Sequence, residues 1–191
     1  MRAIRLPFSS IVFFLILGSA LPAAAQEAYL CVWRNPERTM TRIFPDARDY
    51  KSVTARISAE QRAVIEKTLG YELLPGQQDQ FQYYHMLDAG GSAIGTIIPS
   101  TQKGEFGAVE FVFGLGPDTT IKGLYIQRAR ERDQAFKDRA FLEQFIGRSA
   151  ADRQAIQQVD GGGTTPGKQA VIRGLVKELT TMDTVAAAVG Q

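Results

Sequence analysis

The sequence predicts an α+β domain in which a twisted antiparallel sheet packs against helices. Runs with strand-like patterning follow one another between Gln80 and Gln127, joined by short turns rich in Gly, Asp and Pro, so three or four consecutive antiparallel strands are expected. Segments with helix-capping chemistry lie before and after that block instead of alternating with it. No repeat, low-complexity tract or long linker divides residues 26–191, which read as one domain. With 45% apolar residues the chain has material for a real core.

The first 25 residues are set apart. Arg2 and Arg5 stand at the basic end with no acid, an apolar run is densest from Ile11 to Leu17, and Ala23, Ala24 and Ala25 follow. That order is a secretory signal peptide over 1–25. Ser9, Ser10, Gly18 and Pro22 leave the apolar stretch too short for a comfortable membrane span. Arg2 and Arg5 are separated, so the general secretion route is expected. Cleavage after Ala25 leaves 166 of the 191 residues, with 20 basic and 20 acidic side chains. The working protein is then neutral, without a membrane span, and periplasmic or otherwise extracytoplasmic.

Tyr29 and Trp33 alternate across Ala28–Trp33 as in a short strand. Asn35-Pro36-Glu37 starts a short helix, with Asn as cap, Pro in the first turn and an acid at the positive dipole end; it stops near Phe44-Pro45. An extended stretch covers Tyr50–Ile57. Ser58 opens the next helix, with Gln61 completing a capping box, Gly70 as the stop, and Val64, Ile65 and Leu69 as its apolar stripe. The expected strands are Gln80–Leu87, Ser92–Ile98, Val109–Leu115 and Thr120–Gln127, with turns at Asp88-Ala89-Gly90-Gly91, Lys103-Gly104 and Gly116-Pro117-Asp118. A helix over Ala135–Ile146, carrying Phe136, Ala140, Phe141 and Phe145, ends at Gly147. The last runs from about Pro166 to Leu179 and turns Val171, Leu175 and Val176 inward.

Composition excludes several functions. A neutral chain without a basic block is a poor partner for nucleic acid. The single cysteine, Cys31, permits neither an internal disulfide nor an all-Cys metal site, and the single histidine, His85, no multi-histidine centre. His85, in Tyr83-Tyr84-His85-Met86, is expected to be packed or solvated; a haem-ligand or proton-relay role is the alternative. Arg128, Arg130, Arg132, Lys137 and Arg139 mix with Glu131, Asp133 and Asp138 as a solvated face. Arg128 or Arg130 beside a phosphate or a redox partner is the alternative. No Ser–His–Asp set or paired-carboxylate spacing marks a catalytic centre.

The most informative stretch is Val159-Asp160-Gly161-Gly162-Gly163-Thr164-Thr165-Pro166-Gly167-Lys168. Three glycines let the backbone approach a ligand closely. Thr164 or Thr165 is an N-cap, Pro166 suits the first helical position, and the dipole there favours an anion such as phosphate. A glycine-rich surface loop capping a helix is the plain alternative. Gly162-x-x-x-x-Gly167-Lys168 approaches a nucleotide P-loop, but Gln169 replaces the magnesium-binding hydroxyl and Ala155–Val159 is no buried strand.

From about Thr41 to Val176 the chain resembles the FMN-binding domain of the flavoprotein subunits of Rnf complexes and of the sodium-pumping NADH:quinone reductase. The resemblance is carried by Ile43-Phe44-Pro45-Asp46-Ala47, Ser58-Ala59-Glu60-Gln61, Ile65–Gly70, Gly95, Ile121-Lys122-Gly123-Leu124 and Phe141–Arg148. Gly161-Gly162-Gly163-Thr164 aligns with the family's S-G-A-T, whose Thr carries FMN through a phosphoester. Gly161 replaces its Ser, Gly163 its Ala, and Pro166 its later hydroxyl; Asp160 lies closer to the Thr than the family's acid. Glu131 is what remains of an E-T-P-G-L-G segment. The resemblance implies an exported FMN-binding electron-transfer protein, a role favoured over that of a stand-alone catalyst. Gly161, Gly162, Gly163, Thr164, Thr165 and Glu131 would bind the cofactor, covalently through Thr164 or reversibly, with reversible binding preferred. A redox partner protein or a flavin transferase are the implied partners. The alternative is a flavin-free accessory or binding module that keeps the fold.

Overall fold

The computed structural model describes residues 37–189. The expected signal peptide over 1–25, the expected Ala28–Trp33 strand, Cys31 and the expected Asn35 cap lie outside the described residues. Helix α1 (Glu37–Ile43) leads into strand β1 (Asp49–Arg56), helix α2 (Ala59–Leu69) and strands β2 (Gln80–Leu87), β3 (Ala93–Lys103), β4 (Ala108–Leu115) and β5 (Ile121–Arg128). Short helices α3 (Arg139–Leu142) and α4 (Arg153–Gln157) precede the long α5 (Pro166–Val189). The strands form one five-stranded antiparallel sheet in the order β1-β2-β3-β4-β5. This is the α+β architecture expected, with one strand more than the count of three or four. The extended stretch at Tyr50–Ile57 becomes edge strand β1, pairing with the whole of β2.

Ser58 and Gln61 form the capping box reciprocally, and Gly70 ends α2 at φ 76°. Of the apolar stripe expected on α2, Ile65 is buried and Leu69 half-buried, but Val64 points to solvent. Residues 64 and 65 are about 100° apart around a helix, so α2 lays only the Ile65 side on its neighbour.

Strand β3 is longer than Ser92–Ile98, running through Pro99 to Lys103. A proline in an inner strand is tolerated here because the β2 ladder stops at Ile97, leaving β4 as the neighbour beyond it. The helix expected over Ala135–Ile146 is instead broken: a single 3-10 turn at Ala135–Lys137, the four residues of α3, then another 3-10 turn at Glu143–Phe145. Asp138 is extended between the first two. In one continuous helix Phe136 would lie about 140° from Phe141. Breaking the chain at Asp138 lets Phe136, Phe141 and Phe145 all reach the core, where each is almost wholly buried. Helix α5 continues ten residues past Leu179, to Val189.

The main core lies between one sheet face and the helices, with Ile98, Phe111 and Phe113 meeting Val171, Leu175 and Leu179. A smaller cluster on the opposite face joins Phe44, Tyr84, Met86, Ile97 and Val112. Its seat is a cleft in the sheet. A Cβ on Gly95 would stand 2.3 Å from the Phe44 ring, one on Gly114 2.4 Å from Ile43, and one on Gly123 3.1 Å from Ile43. The missing side chains on β3, β4 and β5 are what admit Ile43-Phe44.

Candidate functional site

The glycine run is the most contorted segment among the described residues. Asp160, Gly161, Gly162 and Gly163 all have positive φ, at 51, 65, 86 and 89°. Three glycines take this backbone without strain, and Asp is among the few side chains that tolerate it. The loop closes on itself through Gly161 N–H to Gln158 O and Gly163 N–H to Asp160 O, both 3.1 Å. Gln169 then reaches back to donate to Gly163 O at 3.1 Å. A Cβ at Gly161 meets nothing within 4 Å, and one at Gly162 only Gln157 O at 3.5 Å. That side of the loop is open. Gly163 is different: a Cβ there would lie 2.8 Å from the Gln169 amide nitrogen. Glycine at this position therefore has a steric reason.

Helix α5 starts at the end of this run, with Gln169 N–H bonding to Thr165 O at 2.9 Å. Its N-terminus carries a partial positive charge of about half a unit. The backbone of Thr165 caps the helix but its hydroxyl does not: Oγ1 is buried and makes no hydrogen bond. It faces Asp133, whose carboxyl is held below the usual range first by the Ala135 N–H and then by the polar Thr165 side chain, the latter outside hydrogen-bond geometry.

An anion already stands at the helix end, supplied by the chain. Asp160 Oδ2 accepts from Lys168 Nζ at 2.8 Å and from Thr164 Oγ1 at 3.2 Å. The Lys168 ammonium foremost holds the Asp160 carboxyl below its ordinary value, against the opposing effect of burial and with a lesser contribution from Thr164. Lys168 is further fixed by lying 5.2 Å over the Phe141 ring. The aromatic face and the carboxylate together orient a cation that the sequence marked only within the P-loop pattern. The P-loop reading itself is excluded by the backbone, since helix α4 precedes the glycines where a P-loop has a strand.

Glu131 occupies a neighbouring position with a different task. It is buried, and its carboxylate accepts from the Glu105 N–H at 3.0 and 3.1 Å and from the Phe106 N–H at 3.4 Å, clamping the β3–β4 turn. The segment after it does meet the glycine loop, through Asp133 beside Thr165 and Phe136 beneath Gly167, where a Cβ would fall 2.4 Å from the ring. Gly161–Thr165 are thus assembled with Asp160, Lys168 and Asp133. Glu131 joins them through chain connectivity, with both oxygens engaged elsewhere. No local sequence signal identified the Asp160–Lys168 pair, because eight positions and a reversed loop separate its members.

Other residues singled out make contacts elsewhere in the fold. His85 is half-buried, its ring 5.2 Å edge-on to Tyr83 and its Nδ1 3.3 Å from Thr96 Oγ1. Arg128 pairs with Glu110 at 3.8 Å, and Arg139 with Glu143 one helical turn on. Among the described residues no three His, Cys, Asp or Glu side chains are placed to hold a metal ion, and no helix is long and apolar enough to cross a membrane.

No protein-family model matches the chain, and no curated protein does. Among solved structures, NqrC of Shewanella oneidensis is similar at 15% identity and a TM-score of 0.49, the alignment covering 78% of this chain and 87% of that one.

Proposed function

We propose that this chain is an FMN-binding electron-transfer protein working outside the cytoplasm, with the FMN phosphate seated at Gly161–Thr165. The observation that carries the reading is the α5 N-terminus. A positively polarised helix end, a loop side left open by Gly161 and Gly162 and a cation at Lys168 converge there. Each suits a phosphate monoester. Thr164, exposed beside them, has the hydroxyl that a phosphoester would need. When bound, FMN would supply the redox chemistry; the protein's part is to hold it and tune its potential.

Asp160 sets the terms of binding. Phosphate gains Lys168 and Thr164 only as the Asp160 carboxylate gives them up, which favours reversible and weaker binding over a permanent bond. The same occupancy supports the second reading, a flavin-free module whose own carboxylate has replaced the ligand. Export through a cleaved leader over 1–25 accompanies both, with Gln26 as the mature N-terminus; an intact residue 1 in the extracytoplasmic fraction, found by N-terminal sequencing, would contradict it.

The test is to produce residues 26–191 with a flavin transferase and record the intact mass and visible spectrum. A yellow, dialysable protein of unchanged mass is the expected result. An added FMN-phosphoryl mass, lost in Thr164→Ala, would establish covalent attachment instead. A colourless protein that takes up no added FMN would refute the flavin reading and leave the accessory module.

A further inference from the structure

We propose that Phe106 and Arg132 form the platform on which the flavin ring stacks, a role resting on the FMN reading above. Phe106 is 44% exposed at the tip of the β3–β4 hairpin, while the turn that carries it is tied down through its backbone. Gly104 N–H closes the turn onto Gly107 O at 2.7 Å. The buried Glu131 carboxylate takes the Glu105 and Phe106 amides. A Cβ on Gly104 would collide with that carboxylate at 2.1 Å, so the clamp requires glycine there. Burying a carboxylate is costly, and this one is committed to fixing a turn whose tip shows an aromatic ring to solvent. Nothing in the packing of the core requires that ring. The next residue after the clamp, Arg132, lays its guanidinium 4.8 Å from the Phe106 centroid, setting a planar cation against an exposed aromatic face.

Placement connects this platform to the phosphate seat. Glu131 grips the hairpin tip, and Asp133, beside Thr165, is two residues on, at most about 7 Å of chain. A short stretch of chain, Glu131–Asp133, thus links the hairpin that carries the ring platform to the start of helix α5. FMN has the matching form, a flat tricyclic ring joined to its phosphate by a flexible sugar-alcohol chain. Stacking on Phe106 supplies affinity for the ring irrespective of the phosphate. The fixed charge of Arg132 favours the reduced, anionic flavin over the neutral oxidised one, and so raises its reduction potential.

The proposal separates ring from phosphate, and the experiment does the same. The 26–191 chain, made without a flavin transferase, is titrated with FMN, with riboflavin, which lacks the phosphate, and with inorganic phosphate. Phe106→Leu, which keeps apolar bulk but not the ring, is expected to weaken FMN and riboflavin alike by about five- to a hundredfold, leaving phosphate binding unchanged. Phe106→Trp should restore affinity and quench the flavin fluorescence. Arg132→Gln should lower the midpoint potential of bound FMN, and far-ultraviolet circular dichroism should be unaltered in all three. If wild type binds FMN and Phe106→Leu binds it equally well, the platform is refuted while the FMN reading stands. If wild type binds neither flavin, both fall together.

Discussion

Replacing Thr165 with Val should make the protein more stable. The hydroxyl of Thr165 is buried, makes no hydrogen bond and does not cap the helix whose first turn it precedes. A buried polar group left unpaired costs about 1–3 kcal/mol. Because Thr165 as a residue is only half-buried, the lower end applies, about 1 kcal/mol. Valine keeps the branched shape, and the residue before Pro166 is biased to the extended backbone that suits such side chains. The gain would appear in urea unfolding as a higher midpoint at unchanged slope, and on heating as a Tm rise of about 2–4 °C. Thr165→Ser, which keeps the hydroxyl, should show no such gain. A loss of about 1 kcal/mol in Thr165→Val would refute the reasoning, since it would mean that the hydroxyl is bonded to Asp133 after all. If stability rises while FMN affinity falls, the group is held at a cost for the ligand, the usual signature of a binding residue.

Three further outcomes follow from the same geometry. Gly163→Ala should destabilise by about 1–3 kcal/mol, through a positive φ and a 2.8 Å approach to the Gln169 nitrogen; an unchanged urea midpoint would show that the loop yields. Phe44→Ala should cost about 3–5 kcal/mol, read in thermal melts, because its ring fills the glycine cleft of the sheet. Asp118 is held at about 2, first by hydrogen bonds from Lys122 and Thr120. Its folded value is depressed, so its contribution is complete above about pH 4 and fades as pH falls towards 2. Asp118→Asn should remove that part of the acid slope in unfolding measured from pH 5 to 2, and an unaltered slope would show that the pairing is not maintained in solution.

What was legible in the sequence was what depends on near neighbours. Ser58 and Gln61 announce their capping box three residues apart, and the turns at Asp88–Gly91 and Gly116–Asp118 place the hairpins. The fate of Tyr50–Ile57 was not legible, because its partner β2 lies beyond a whole helix. The break at Asp138 was hidden for a related reason. Helical spacing fits Phe141 and Phe145, and only the core's demand for Phe136 as well forces the chain to part. At the site, the glycines and Thr165 were visible as a run, whereas Asp160's hold on Lys168 required the left-handed turn that brings them together. Glu131 stood out through resemblance alone, and its grip on the hairpin tip depends on residues some 25 positions earlier.

The glycine cleft also bears on the order in which the chain can fold. Ile43 ends the first described helix and Phe44 follows it directly, yet their seat is built by Gly95, Gly114 and Gly123 on three later strands. Eighty positions separate Ile43 from the last of these. During synthesis from the N-terminus, that apolar pair emerges early and has nowhere to dock until β5 exists. Such non-local closure gives the domain a high contact order and slows its folding relative to a helical bundle of equal length. In the interval, Ile43-Phe44 is an exposed adhesive patch, the kind of segment through which a nascent chain aggregates or is met by a chaperone.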